Sequence, residues 1–251
     1  MNMVHTDYHD TVALITLARG VTNALNLQLL NELFKSLEKA KEDPRVKSCV
    51  LTSSSEKFFC IGYDVKELYN YSKEDFTEFY QTFNRVCINL YTLKKPTVAA
   101  LTGHAIAGGC ALALCCDYRF IAEGRKLMGF NVLRLGLPVP YLVGKVLQRT
   151  VGTRAARDIV DTGEFHPSEQ LLQMGMVDGV LLQKDVIPHS IEKAHTLGGL
   201  PQKAFAITKG NRTEWIEQQV IERLSEKELF FVECFFSDEA RRLMKKAMEK
   251  F

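Results

Sequence analysis

Gly103-His104-Ala105-Ile106-Ala107-Gly108-Gly109-Cys110-Ala111-Leu112 follows an apolar run of strand length, Thr97 to Leu101, and leads into an apolar helical stretch, Ala111 to Cys116. A second segment, Phe59-Cys60-Ile61-Gly62-Tyr63-Asp64-Val65-Lys66-Glu67-Leu68, has the same build: an apolar strand end, a glycine turn and a short helix from Val65 to Tyr69. N–H groups at a helix start lack intrahelical partners and carry partial positive charge, so they receive anionic oxygen. Glycine lets a ligand carbonyl approach the backbone closely. Taken singly, each segment also reads as a plain chain reversal. Neither carries a phosphate loop, and no G-x-G-x-x-G stands where a dinucleotide fold needs it.

Outward from these segments the chain alternates strand and helix. Val12 to Ala18 and Val46 to Thr52 read as strands. Asn26 to Lys41, with Leu29, Leu30, Leu33, Phe34 and Leu37 at helical spacing, and Lys73 to Leu93 read as helices. Tyr118 to Ala122 adds a strand, and the alternation predicts an α/β fold with largely buried strands. Beyond Gly199 the signals are helical only, with helices over Trp215 to Phe235 and Asp238 to Lys250, the latter capped by Ser237. The expected division is an α/β core over 1–199 and a helical region over 200–251.

The composition narrows the classes. In 251 residues, 46% are hydrophobic and 25% charged, which suits a globular chain with a sizeable core. The net charge of +2 arises from mixed charges without a basic run, so nucleic acid is not an expected partner. No apolar run reaches bilayer length and no secretion signal opens the chain, which makes the expected location cytoplasmic, away from a membrane. Seven cysteines are an odd number, several within apolar runs, and without paired C-x-x-C or histidine spacing neither a disulfide framework nor a metal site is expected.

The two glycine segments together, in this order and spacing, resemble the oxyanion-hole segments of the crotonase (enoyl-CoA hydratase/isomerase) superfamily. The resemblance extends through Val21-Thr22-Asn23-Ala24-Leu25-Asn26, Cys116-Asp117-Tyr118-Arg119, Val151-Gly152-Thr153-Arg154-Ala155-Ala156, Met174-Gly175-Met176-Val177-Asp178 and Phe236-Ser237-Asp238-Glu239. It implies a ClpP/crotonase-like spiral of β-β-α units whose C-terminal helices build a homotrimer or a homohexamer. It further implies an acyl-CoA thioester as ligand, with coenzyme A entering as part of the substrate and no separate cofactor. Carried over by residue, the oxyanion donors are the amides of Tyr63 and Gly108, beside Gly62 and Gly109. Ala24, Leu25, Cys60, Asp64 and Val65 surround the coenzyme, mostly through backbone contacts.

The pattern departs from the family at two positions. The hydratases' two glutamates correspond to Ala111 and Val132, and neither side chain transfers a proton. The enoyl-CoA isomerases need one base, and Met128-Gly129-Phe130-Asn131, Leu135-Gly136-Leu137 and Pro140 resemble their segment, yet the base position is Val132. Isomerase-like chemistry is therefore expected ahead of hydration. Leu135-Gly136-Leu137-Pro138 also resembles methylmalonyl-CoA decarboxylase, whose histidine position is Tyr63 here, and decarboxylation generates the enolate without a base. A catalytically silent acyl-CoA-binding protein is the third reading. Among single residues, Asp64 reads as a helix cap, His104 as structural, Lys66 as an exposed lysine, and Cys60 and Cys110 as packing residues. Asn131 and Arg134 read either as carboxylate binders or as structural groups.

Overall fold

The structure, a computed structural model, describes residues 2–249. Its strands are β1 (Val4–His9), β2 (Val12–Leu17), β3 (Ser48–Ser53), β4 (Phe58–Cys60), β5 (Thr97–Leu101), β6 (His104–Ile106), β7 (Tyr118–Ala122), β8 (Leu127–Gly129), β9 (Phe165–Pro167) and β10 (Gly179–Leu181). Its α-helices are α1 (Leu27–Glu42), α2 (Val65–Leu68), α3 (Lys73–Thr92), α4 (Gly108–Leu114), α5 (Tyr141–Val151), α6 (Thr153–Thr162), α7 (Ser168–Gln173), α8 (Val186–Gly198), α9 (Gln202–Phe236) and α10 (Asp238–Met248).

The strands form a six-stranded sheet, β1-β2-β3-β5-β7-β10, and a four-stranded sheet, β4-β6-β8-β9. Each turn of the chain lays one strand in the first sheet and the next in the second, as β3 and β4, β5 and β6, and β7 and β8 show, which is the expected spiral of β-β-α units. Within β2-β3-β5-β7-β10 every pairing is parallel. Parallel strands are covered on both faces, and β3 and β5 are buried along their whole length. That burial explains their unbroken apolar reading.

Local sequence accounts for the helix starts. Asn26 caps α1 by accepting from Leu29 N–H, and Leu29, Leu30, Leu33 and Leu37 form its buried stripe. Ser72 caps α3 and Ser237 caps α10 in the same way. The second glycine helix begins at Gly108, earlier than the expected Ala111, because both glycines are buried in its first turn against the neighbouring loop. Gln202–Phe236 is one 35-residue helix instead of a helix starting near Trp215, so Gly210 lies inside it. The expected end of the last helix, Lys250, lies outside the described residues. The polar edge strand β1 was not foreseen: most of its side chains face solvent and supply little apolar alternation.

Candidate functional site

Parallel pairing of β4 with β6, and of β6 with β8, sends the three following segments out at the same end of the small sheet. The loops after Cys60 and Ile106 thereby meet, and the meeting depends on missing side chains. Gly62 has φ +93°, and a Cβ on it would lie 3.0 Å from the Gly108 nitrogen. A Cβ on Gly109 would lie 2.2 Å from the Cys60 carbonyl oxygen, a distance no side chain survives. Ala107, the residue before α4, takes φ 47° and ψ −107° and offers no side-chain cap. A non-glycine residue there stores about 1–3 kcal/mol of strain. It is held by its N–H on Gly129 O (2.9 Å) and its carbonyl beneath Ala111 N–H (2.9 Å). Among the described residues, neither Tyr63 N–H nor Gly108 N–H has an acceptor.

The first loop is strapped to the 22–25 segment. Leu25 N–H donates to Gly62 O (2.7 Å), Asp64 N–H donates to Leu25 O (2.9 Å), and Ile61 N–H donates to Thr22 O (3.0 Å). Leu25 thus spends its N–H inside the loop and its carbonyl already has one donor, which modifies the expectation that it serves a ligand through its backbone. Arg19 clamps the same loop through Asp64 (2.7 Å), Glu67 (2.9 Å) and the Ala24 carbonyl (2.7 Å). Asn23, fully buried at φ 46°, donates to Ser53 Oγ (2.7 Å) and Phe59 O (3.1 Å) while accepting from Arg19 N–H. Arg19 and Asn23 escaped the sequence reading as organisers. The available signal was an asparagine between two expected elements, where asparagine tolerates positive φ better than most residues.

Asp64 is the expected cap, accepting from Glu67 N–H at 3.1 Å. His104 is structural: its Nδ1 accepts from Leu127 N–H at 2.9 Å. Burial first, then Lys126, Lys57 and Arg125, push its pKa below the usual value. Arg134 donates to the Thr162 carbonyl, which gives its guanidinium a structural role. Cys60 and Cys110 are buried, and desolvation pushes the Cys60 thiol up to about 12, far from a nucleophile's range. Val65 is partly buried and Lys66 is exposed.

Ala111 is completely buried one turn into α4, and Val132 opens a short 3-10 turn, Val132–Leu135, just beyond β8. Both belong to segments that begin at the end of the small sheet where the loops meet. The side chain of Tyr63 enters an aromatic shell, with its ring edge-on to Phe79 (5.0 Å) and Phe83 (5.1 Å) and more distantly to Phe231 (6.4 Å). Its hydroxyl is buried without a partner, and burial raises its pKa well above the usual value. The shell joins α3 to α9, where Tyr80 stacks on Phe231 at 3.9 Å and Phe76 on Phe235 at 3.6 Å. Its signal was in plain view: Phe76, Phe79, Tyr80 and Phe83 share one face of α3.

A model of the family described as enoyl-CoA hydratase/isomerase matches residues 7–251. Human mitochondrial enoyl-CoA delta isomerase 1 is 27% identical over 99% of this chain and 82% of its own. Its mouse counterpart is 32% identical over 73% of this chain and 64% of its own. A crotonyl-CoA hydratase of Syntrophomonas wolfei is 27% identical over 91% of this chain and 87% of its own. The crystal structure of human mitochondrial delta3-delta2-enoyl-CoA isomerase superposes with a TM-score of 0.95 at 26% identity, covering 99% of this chain and 97% of that one. With the spiral, the facing glycine loops and a family match over nearly its whole length, the chain belongs to the enoyl-CoA hydratase/isomerase family of the crotonase superfamily.

Proposed function

We propose that the chain binds acyl-CoA thioesters, takes the thioester oxygen between the amides of Tyr63 and Gly108, and stabilises the enolate formed from the ester. The observation that carries this reading is the pair of acceptor-free N–H groups on two loops held together by Gly62 and Gly109. In enzymes that use such donors, loss of one costs about 2.7–4 kcal/mol of transition-state stabilisation. Tyr63 and Leu25 side chains stand over Gly108, where an added Cβ would meet them at 3.2 and 2.9 Å.

Isomerase-like chemistry is the leading form of this function, on the resemblance of Met128-Gly129-Phe130-Asn131 to the isomerase segment and with the proton carried by a group other than residue 132, and paired-carboxylate hydration is disfavoured. Ala111 and Val132 stand at the positions where the family resemblance places glutamates, and the loop carboxylates are already engaged. Asp64 serves Arg19 and the α2 cap, while Glu67 binds Arg19, Asn26 and Tyr71. The same observation favours decarboxylation as the second reading, because that reaction yields the enolate without a base. A homotrimer or homohexamer is the proposed assembly, on the family resemblance, with exposed Ile207, Trp215 and Leu229 on α9 as its proposed contacts.

Turnover of 3-enoyl-, 2-enoyl- and malonyl-type CoA esters, with binding followed separately by calorimetry, tests the reading. Ester binding with double-bond migration and little crotonyl-CoA hydration is expected. Hydration at the rate of a hydratase control would show a working acid–base pair, and absence of ester binding would remove the proposal.

A further inference from the structure

We propose that a trench beneath α9, separate from the paired glycine loops, binds a long-chain carboxylate: its head lies between Arg149 and Arg212 and its alkyl chain along Leu142, Val220 and Leu224. Two cavities carry this inference. One, of about 230 Å³, is lined by Arg119, Arg149, Arg212, Thr150 and Thr213, with Asp117 in its wall. The other, of about 210 Å³, is mainly apolar, with Ile88, Leu142, Val220, Ile221 and Leu224 in its wall. Tyr91 belongs to both walls, whereas Tyr63 and Gly108 belong to neither. Small-molecule sites usually measure about 300–1,000 Å³, so one ligand of ordinary size needs both spaces.

The charges select the head group and its direction. Asp117 is held by buried Lys209 at 2.6 Å and also by Arg212 at 2.5 Å, so one carboxylate faces two cations. Arg119 is taken up by Asp178 and by the carbonyls of Met176 and Cys116. Arg149 has no carboxylate partner among the described residues. Guanidinium groups bind a carboxylate through paired, charge-assisted hydrogen bonds. Glu217, in the wall of the apolar cavity, repels a second carboxylate there. A chain with one acidic end is therefore favoured over a diacid. By helical spacing, Val220 lies opposite Leu229 and Thr213 nearly opposite Trp215, whereas Ile221, at the edge of the apolar cavity, lies within about 40° of Ile207, so the trench opens beside the proposed subunit contact on α9.

Calorimetric titration of the full chain with decanoate, decanol and decanedioate tests the site, with Arg149→Met and Ile221→Glu as variants and a run at saturating crotonyl-CoA. Ile221 is 77% exposed, so its replacement leaves the core intact. Decanoate is expected to bind about tenfold or more tightly than either analogue, to lose about tenfold in Arg149→Met, and to weaken in Ile221→Glu without displacement by the CoA ester. Equal binding of decanoate and decanol, insensitivity to both variants, or displacement by the ester would overturn the proposal. No decanoate binding would overturn it as well, and loss of self-association in Ile221→Glu would then assign this face to a second copy.

Discussion

Tyr63 combines a backbone N–H that has no acceptor among the described residues with a phenol buried where no partner reaches it. A buried unsatisfied hydroxyl carries a desolvation penalty of about 1–3 kcal/mol. Tyr63→Phe keeps the amide and ring while removing that penalty, so it is expected to raise stability to urea by about 1 kcal/mol with ester binding retained. Unchanged stability with lost turnover would instead give the phenol a chemical role. His104 predicts a pH effect. Its folded-state pKa lies below the usual value of about 6.5, so the unfolded chain takes up the proton first as pH falls. Its contribution to stability is thus fully present above about pH 6.5 and lost below it. Thermal melts between pH 8 and 5 should show a smaller drop in His104→Gln than in the parent; equal drops would contradict this.

At the scale of elements, the union of α9 with the sheet rests on a buried ion pair. Lys209 on α9 is 1% exposed and bonds Asp117 at the entry to β7, which also accepts from Thr97 N–H. Burial depresses the Lys209 pKa, and Asp117 opposes that shift. Removing one partner strands the other charge, so Asp117→Asn is expected to destabilise by about 3–5 kcal/mol in urea unfolding. A loss comparable to that of an exposed substitution would contradict the structural role. The element-scale reading of the sequence succeeded where periodicity was long, as in α1 and α3, and where strands were wholly apolar, as in β3 and β5. It found the apolar end of β4 but passed over β1, β6, β8, β9 and β10, because strands of three residues, or edge strands facing solvent, hold too few positions for a period to register. It placed the α4 start too late because glycine is a poor helix former, although packing against Cys60 demands glycine at that turn.

At the scale of the whole molecule, the two glycine loops are far apart in sequence, and the pairing of β4 with β6 brings them together. Their residue types were legible in the sequence, and family resemblance joined them. Their strapping by Arg19 and Asn23 was not legible, because a solvated arginine and a turn asparagine look the same in sequence as these two. The exposed apolar side of α9, with Ile207, Trp215 and Leu229, is larger than isolated surface residues require and predicts association. Light scattering at micromolar concentration should give the mass of a trimer or a dimer of trimers; a monomer's mass would contradict that assembly. The central claim is the polarisation of a thioester by the amides of Tyr63 and Gly108. Its direct measurement is difference infrared spectroscopy of crotonyl-CoA carrying a ¹³C-labelled thioester carbonyl, bound to the parent chain and to Gly62→Ala. The carbonyl stretch is expected to move to lower frequency in the parent and to lose that shift in Gly62→Ala, where a Cβ crowds the Gly108 nitrogen; a bound ester whose stretch matches that in water or buffer would contradict the account.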